Sequence, residues 1–173
     1  MNKDVMGVQE VSPGYAFLAE NPAVPVGYKQ TEVGVIPEDW SVSIVSDLGQ
    51  IITGGTPRTS IKAYWGDEYP WVTPTDISNR KDIYVTERHI TTDGLRTIRP
   101  LPPKSVLVTC IASIGKNAVL QVHGGCNQQI NAVIPNKNND PDFLYYLFEF
   151  SKSYLIGKAG TTATSIVSKG IFS

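Results

Sequence analysis

Three short apolar runs separated by tight polar turns constrain the fold of this chain more than any other feature. Residues 105–111 are rich in β-branched side chains, residues 117–122 follow the turn "ASIGK", and residues 129–134 follow the turn "HGGCN". Runs of this length, bounded by glycine and proline, are typical of buried β-strands. The sequence therefore predicts a body of short strands joined by Pro- and Gly-rich turns.

One long helix is predicted after these strands. In "NDPDFLYYLFEFSKSYLIGKAG", Asp140 suits the N-cap and Pro141 suits the first helical position. The apolar stripe of this helix contains Phe143, Leu147, Phe150 and Tyr154, broadened by Leu144, Phe148 and Leu155. The stripe predicts a helix that packs on the core. Strands followed by a helical end predict an α+β fold.

Weaker patterns extend the predicted strands toward the N-terminus. Trp40, Val42 and Ile44 alternate with serines, which predicts a strand, and "SDLGQII" predicts a short helical turn that runs into another strand. Residues 69–72 predict a further strand. Pro70 within it indicates an edge or irregular strand, because proline donates no backbone hydrogen bond.

Composition places the chain among folded soluble proteins. Its 173 residues suffice for one domain with a sizeable core, and 41% of them are apolar. No apolar run approaches the roughly 20 residues that span a bilayer, and no secretory signal is visible, so a cytoplasmic location without membrane contact is expected. The net charge is −1, but residues 51–116 hold nine basic and six acidic side chains. This middle third is a candidate face for a polyanion, although solvated charges on opposite sides of a sheet explain it more simply.

No catalytic or metal-binding pattern is visible. The two cysteines, Cys110 and Cys126, form no zinc quartet or disulfide framework, and His89 and His123 lack metal-like spacing. "TGGTPRTS" lacks the lysine and the following helix of a nucleotide-binding P-loop. The acidic side chains are scattered over turn-rich sequence and are predicted to be solvated rather than nuclease ligands; they are Asp67, Glu68, Asp76, Asp82 and Glu87.

Small polar loops border the predicted strands and offer another chemistry. They read "TGGTPRTS", "TPTDISNRK", "ASIGK", "GGCNQQIN" and "AGTTATS". Glycine allows a close approach of the main chain to a phosphate, and backbone N–H groups and hydroxyls donate to phosphate oxygens. Gln, Asn, Arg and Lys side chains read base edges. Loops of this composition also occur in every loop-rich β domain, so composition alone does not establish DNA binding.

An ordered set of segments carries a family resemblance. The set is "TEVGVIPEDW", "GGTP", "YPWVTPTDI", "LPPKSVLVTCIASIGKNAVL", "NQQINAVIP", "FLYYLF" and "GTTATSIVSKGIF". In this order it resembles the target recognition domain of type I restriction–modification specificity subunits, across residues 26–173. The resemblance implies an irregular, β-helix-like sheet body with a C-terminal helical end.

The resemblance also implies a function and a set of partners. Specificity subunits of this type are not enzymes, and usually carry two recognition domains that each read one half of a split duplex DNA sequence. Long helices separate the domains and dock methylation subunits, which methylate adenine with S-adenosylmethionine. A restriction subunit adds ATP-driven translocation and cleavage. No cofactor is therefore expected on this chain itself, and both S-adenosylmethionine and ATP are expected on the partner subunits only.

The chain departs from the family pattern at both ends. It stops at Ser173, where the first long spacer helix would be expected, so we expect one recognition domain over residues 26–173, truncated before that helix. Docking to a methylation subunit without the helix, and pairing with a second recognition domain, are left open. Residues 1–25 lie outside the resemblance and are expected to form an irregular and flexible N-terminal extension.

The predicted DNA contacts follow from placing the small polar loops on the DNA side. Glycines and threonines would position the backbone, and the longer polar side chains would read bases. The predicted contact residues are Thr53, Gly54, Gly55, Thr56, Arg58, Lys62, Thr75, Ser78, Asn79, Arg80, Lys81, Ser113, Lys116, Thr161, Thr162 and Thr164. The three tryptophans, Trp40, Trp65 and Trp71, are expected to pack in or near the core. The alternatives are a β-rich protein-interaction module without DNA binding, and a divergent hydrolase with a deep pocket.

Overall fold

The computed structural model describes residues 24–31, 34–78, 80–111 and 113–158. The chain divides into two compact units, residues 1–42 and residues 43–173, which we describe separately. In the first unit, β1 (Tyr28–Thr31) and β2 (Gly34–Pro37) form an antiparallel hairpin. The predicted domain limit near residue 25 remains a prediction.

The second unit alternates short strands with short helices. Its elements are α1 (Val45–Leu48), β3 (Gly49–Thr53), a 3₁₀ turn (Lys62–Tyr64), β4 (Trp65–Val72), β5 (Asp82–Ile83), β6 (His89–Ile90), α2 (Thr92–Arg96), β7 (Ser105–Thr109), β8 (Asn117–Leu120), β9 (Gly125–Cys126), β10 (Ile130–Pro135), α3 (Pro141–Phe150) and α4 (Lys152–Lys158). This confirms the predicted α+β class and the three predicted central strands, which correspond to β7, β8 and β10.

Two sheets form the body of this unit. The larger sheet has the order β3-β10-β7-β8-β5, and its pairs are antiparallel except for the short parallel pair β5–β8. The smaller sheet has the order β6-β4-β9, with β4 antiparallel to β6 and parallel to β9. Mixed short pairings of this kind give the irregular sheet body that the family resemblance implies.

Both faces of the larger sheet are buried. Val106, Val108 and Val133 face one side, where they pack in a cluster with side chains of α3 and α4. Leu107 and Ile130 face the other side and pack in a cluster with residues of the smaller sheet and its loops. Successive strand residues point to opposite faces, so a strand covered on both sides reads as a continuous apolar run.

The helical end differs from its prediction in two ways. The predicted single helix ends at Phe150, and α4 begins at Lys152 after Ser151. The predicted core stripe is also largely wrong, because the buried helix residues are Leu144, Phe148 and Leu155. Phe143, Tyr146, Phe150 and Tyr154 are exposed, and Leu147 is half-buried. The seven-residue apolar set is too wide for one sheet face to cover.

Two strand predictions also need correction. Residues 40–44 form no strand, and Trp40, Val42 and Ile44 are exposed. The exposure of Trp40 also corrects the expectation that it packs in or near the core. β4 is the middle strand of its sheet rather than an edge strand, so only the irregular alternative is confirmed. The β4–β6 register shifts between Trp65 and Tyr69, immediately before Pro70, where a residue without a backbone N–H fits best.

Candidate nucleic-acid interface

The strand register places several predicted loops at one end of the larger sheet. Thr53, the last residue of β3, lies opposite Asn131 near the start of β10. Thr109, the last residue of β7, lies opposite Ile130, and β8 begins at Asn117, opposite Val108. The loops that follow β3 and β7 and precede β8 and β10 therefore leave the sheet at the same end.

The smaller sheet adds its loops to this end. Val72, the last residue of β4, pairs in parallel with Cys126, and the Asn127 amide donates to the Val72 carbonyl at 2.9 Å. Because β5 pairs in parallel with β8, it begins at the same end of the larger sheet as β8 does. We name the four loops loop A (residues 54–61), loop B (73–78 and 80–81), loop C (110–111 and 113–116) and loop D (127–129), and their common position the loop end.

The loop end is as wide as a short DNA site. From β3 to β5 the larger sheet contains five strands, and four spacings of about 4.8 Å amount to about 19 Å. At about 3.4 Å for each step along a DNA strand, this width matches five to six base pairs. Loop A lies at the β3 side of the loop end, and the segment that leads into β5 lies at the other side.

Loop A is held against loop D by its backbone. The amides of Gly54 and Gly55 donate to the carbonyls of Ile130 and Cys126 at 3.0 and 2.8 Å. A β-carbon on Gly54 would lie 2.1 Å from the Asn127 carbonyl oxygen. These glycines thus serve close packing within the protein, and their amides are already engaged. The predicted DNA contacts of the two glycines remain predictions.

Loop A also presents polar side chains. The Thr56 hydroxyl donates to Oε1 of Gln128 in loop D at 2.6 Å, and both side chains are exposed. Arg58 is exposed, and Lys62 is exposed in the 3₁₀ turn that follows the loop. A pocket of about 200 Å³ borders this loop, and it is lined by Thr56, Arg58, Ile61, Tyr64 and Thr97.

Loop B is organised around one carboxylate. Asp76 accepts hydrogen bonds from the amide and hydroxyl of Thr73 at 2.8 and 2.7 Å, and from the Glu87 amide at 3.0 Å. The carboxylate of Asp76 therefore joins the two ends of this region by hydrogen bonds, whereas the sequence predicts a solvated charge. Around it, Thr75, Ser78 and Arg80 are exposed.

Lys81 ends loop B with an ion pair to the first helix turn of α3. Its Nζ lies 3.0 Å from a carboxylate oxygen of Asp142. The hydrogen bond to Asp142 raises the pKa of the Lys81 ammonium above its ordinary value. Lys81 therefore brings less uncompensated positive charge to the loop end than Arg80 does.

Loop C is closed by a buried threonine. The Thr109 hydroxyl contacts the carbonyls of Ser113 and Lys116, and it accepts the Lys116 amide at 3.1 Å. Gly115 in this turn has a φ of 80°, a conformation that glycine adopts without strain. The side chain of Lys116 is exposed at the tip.

The structure thus brings most of the predicted contact residues to one region. Those in loops A, B and C share the loop end, together with Thr53 at the end of β3. Asn79, Thr161, Thr162 and Thr164 lie outside the described residues. Sequence reasoning missed four polar residues at or beside the loop end. They are Gln128 in loop D, Thr109, Arg99, which donates to the Thr53 carbonyl at 3.2 Å, and Arg88, whose carbonyl accepts the Trp71 amide at 3.0 Å. Only Gln128 had a visible signal, since it lies in one of the small polar loops.

Two tryptophans lie beneath loop A. Trp71 is buried and donates its indole N–H to the Gly55 carbonyl at 2.9 Å, whereas Trp65 is half-buried and donates to the Arg58 carbonyl at 3.4 Å. Their rings meet edge to face with centroids 5.1 Å apart. This confirms the expectation that both tryptophans pack in or near the core.

The two cysteines are buried free thiols. Burial raises the pKa of the Cys126 thiol to about 12, with a smaller contribution from Cys110, and burial also raises the pKa of Cys110. Among the described residues, no group of three His, Cys, Asp or Glu side chains could hold a metal ion. Within the same part of the chain, no helix is both long and apolar enough to cross a bilayer.

The raised pKa of Cys126 predicts that the free energy of unfolding decreases at alkaline pH. Above pH 9 the unfolded thiol ionises while the folded thiol keeps its proton, so the folded state binds more protons and loses stability as pH rises. We expect the free energy of unfolding at pH 10.5 to be about 2 kcal/mol lower than at pH 8 from this group. Urea unfolding of the wild-type chain and of Cys126→Ala at both pH values checks this. An equal decrease in both proteins would contradict the assignment to Cys126.

Comparisons with known proteins agree with this architecture. A family model described as the type I restriction modification DNA specificity domain matches residues 37–173. The chain is 38% identical over 126 residues to the specificity subunit of the type I restriction enzyme MjaIX from Methanocaldococcus jannaschii, covering 70% of this chain and 29% of that subunit. It is 36% identical over 117 residues to the HindI specificity subunit from Haemophilus influenzae, covering 64% of this chain and 24% of that subunit.

Solved structures share the fold at lower identity. The HsdS subunit from Thermoanaerobacter tengcongensis has a TM-score of 0.60 and 17% identity, covering 84% of this chain and 34% of that one. A chain from a type I R-M system has a TM-score of 0.64 and 16% identity, covering 79% and 33%. The chain thus spans less than a third of the length of the two curated relatives described above. Because the family model matches well over half of it, the chain belongs to the type I restriction modification DNA specificity domain family.

Proposed function

We propose that this chain recognises one half of a split duplex DNA sequence through the loop end. The main support for the proposal is that loops A, B, C and D lie at one end of the larger sheet, whose two faces are both packed with buried side chains. Protein loops on a rigid scaffold are the usual place for binding residues. The width of the loop end, about 19 Å, suits a half-site of five to six base pairs.

Charge at the loop end supports the proposal. Arg58, Arg80 and Lys116 are exposed there, and none of the three forms an ion pair with a carboxylate in the described part of the chain. Gln128 adds an exposed amide. Arginine and lysine recognise guanine or phosphate, and glutamine recognises adenine, so the set contains both positioning and base-reading chemistry.

The family assignment sets the biological context. Specificity subunits of type I systems are non-catalytic and leave catalysis to other subunits, which agrees with the prediction for this chain. As part of the proposal, the chain directs adenine methylation and restriction by a methylation subunit and a restriction subunit, with a second recognition domain for the other half-site. S-adenosylmethionine and ATP would bind those partner subunits, and this chain would hold no cofactor.

The test is selection of duplex DNA from a random pool by the full chain at low salt, followed by sequencing. We expect enrichment of one short motif, and we expect the triple variant Arg58→Ala/Arg80→Ala/Lys116→Ala to lose it. Log affinity decreases with log salt concentration, and this decrease should become less steep by about one unit of slope for each phosphate contact that is removed.

The control variant removes two positive charges, against three in the test variant, at the opposite end of the larger sheet. Lys104 immediately precedes the first residue of β7, Lys137 lies two residues after the last residue of β10, and both side chains are exposed. The variant Lys104→Ala/Lys137→Ala should retain the enriched motif. Equal losses in the two variants would show that net charge, rather than the loop end, determines binding, and would contradict the proposal.

A second candidate function is protein interaction without DNA binding. It is favoured by the exposed aromatic side chains of α3 and α4, namely Phe143, Tyr146, Phe150 and Tyr154. Exposed aromatic surface is typical of protein interfaces. Failure of the wild-type chain to retain any duplex at low salt would favour this candidate over DNA recognition.

A further inference from the structure

The segment that contains Arg88 lies against the two tryptophans beneath loop A. The guanidinium carbon of Arg88 is 3.9 Å from the ring centroid of Trp65 and 4.9 Å from that of Trp71. Both distances are within the range of cation–π attraction. The same two indoles donate their N–H groups to the Gly55 and Arg58 carbonyls of loop A. The tryptophan pair therefore holds the guanidinium of Arg88 and the backbone of loop A in one cluster.

The backbone around Arg88 is fixed as well. The Arg88 carbonyl accepts hydrogen bonds from the Trp71 amide at 3.0 Å and from the buried Thr86 hydroxyl at 2.6 Å. The neighbouring Glu87 amide donates to Asp76, the carboxylate that organises loop B. Arg88 is thus tied to β4 and, through its neighbour, to loop B.

Arg88 therefore makes more contacts through its backbone and guanidinium than a fully solvated surface arginine makes. Arg88 is exposed, and within the described residues it forms no ion pair with a carboxylate. A guanidinium that stacks on an aromatic ring keeps its planar N–H groups available at its edge. Because the two rings restrict the position of the guanidinium before binding, Arg88 loses less side-chain entropy when it forms hydrogen bonds.

We propose that Arg88 is a base-reading residue, which contacts O6 and N7 of one guanine in the DNA half-site. The proposal rests on the proposed function of the loop end and adds a specificity-determining residue to it. Guanine presents two acceptors in the major groove with the spacing of a guanidinium edge, which makes arginine the commonest side chain in specific contacts. The same fork also pairs with phosphate oxygens, and only a base contact discriminates between base pairs, so discrimination is the property that the experiment measures.

The inference predicts the behaviour of Trp65 too. Trp65 would be a positioning residue, since it acts on DNA only through Arg88 and loop A. Trp65→Leu keeps an apolar side chain beside Trp71 but removes the ring beneath the guanidinium. We expect this variant to bind its site with unchanged salt dependence but weaker discrimination at the single guanine.

The experiment combines protein and DNA substitutions in the full chain. The motif selected by the wild-type chain is synthesised, and each guanine is replaced in turn by adenine. We expect one replacement to weaken wild-type binding about 10- to 100-fold, the range of a good bidentate contact. Arg88→Lys keeps the charge but loses the planar fork, so it should discriminate guanine from adenine at that position less strongly than the wild type does. Arg96→Ala, which removes an exposed arginine paired with Asp93, is the control and should discriminate like the wild type.

The outcomes separate this inference from the proposed function. If Arg88→Lys binds the wild-type motif and discriminates at every guanine as the wild-type chain does, the inference is overturned and the proposed function stands. A uniform loss of affinity without loss of discrimination would identify a phosphate contact and would also overturn it. Absence of any motif for the wild-type chain would overturn both. Circular dichroism melting of each variant shows whether the fold is retained, and Arg88→Gln repeats the test if the lysine variant does not fold.

Discussion

Gly54→Ala is expected to destabilise the second unit by about 3 kcal/mol. The added β-carbon would lie 2.1 Å from the Asn127 carbonyl oxygen and 2.5 Å from that of Cys126. Both neighbours are backbone atoms, and the Cys126 carbonyl also accepts the Gly55 amide at 2.8 Å. Loops A and D must therefore separate to make room, and this separation breaks hydrogen bonds. Urea unfolding of the wild type and the variant measures the difference.

Gly157→Ala provides the matched control. Gly157 lies in α4, and apart from its chain neighbours and the backbone of its own helix no atom lies within 4 Å of the position that its β-carbon would occupy. Alanine is a better helix former than glycine, so this variant should gain up to about 1 kcal/mol. If Gly54→Ala were as stable as the wild type, the close approach of loops A and D would be wrong. The position of the residues on loop A that we propose to contact DNA would then need revision.

The central strands could be predicted from the sequence because their environment is simple. Residues of β7 and β8 are buried on both faces, and burial on both sides leaves a continuous apolar run bounded by turns. The segment "SDLGQII" also follows its prediction, since it lies in α1 and β3. The alternation of Trp40, Val42 and Ile44 misled because a period of two indicates a strand only when a neighbouring strand pairs with it.

The composition of the loops could be predicted, but their convergence could not. Loops A and D are separated by more than 60 residues, and their hydrogen bonds depend on the register of β3 against β10. Arg88 could not be found because the sequence separates it from Trp65 and Trp71. Only the irregular pairing of β4 with β6 places the three side chains together. Residues that act through partners distant in the chain carry no local sequence signal.

The two sides of α3 should respond very differently to truncation. Leu144 has no exposed surface and packs in the cluster on the helix-facing side of the larger sheet. We expect Leu144→Ala to lower the free energy of unfolding by about 3 kcal/mol, because it removes buried methyl groups and leaves a cavity. Chemical denaturation monitored by tryptophan fluorescence measures this loss.

Phe150→Ala is the companion variant on the same helix. Phe150 is 90% exposed, so its truncation should change stability by less than about 0.5 kcal/mol despite the larger side chain that is removed. The sequence stripe alone predicts the opposite order, because it places Phe150 in the core. A loss of several kcal/mol in Phe150→Ala with a small loss in Leu144→Ala would mean that α3 is rotated about its axis. The aromatic face would then be part of the core, and the second candidate function would lose its support.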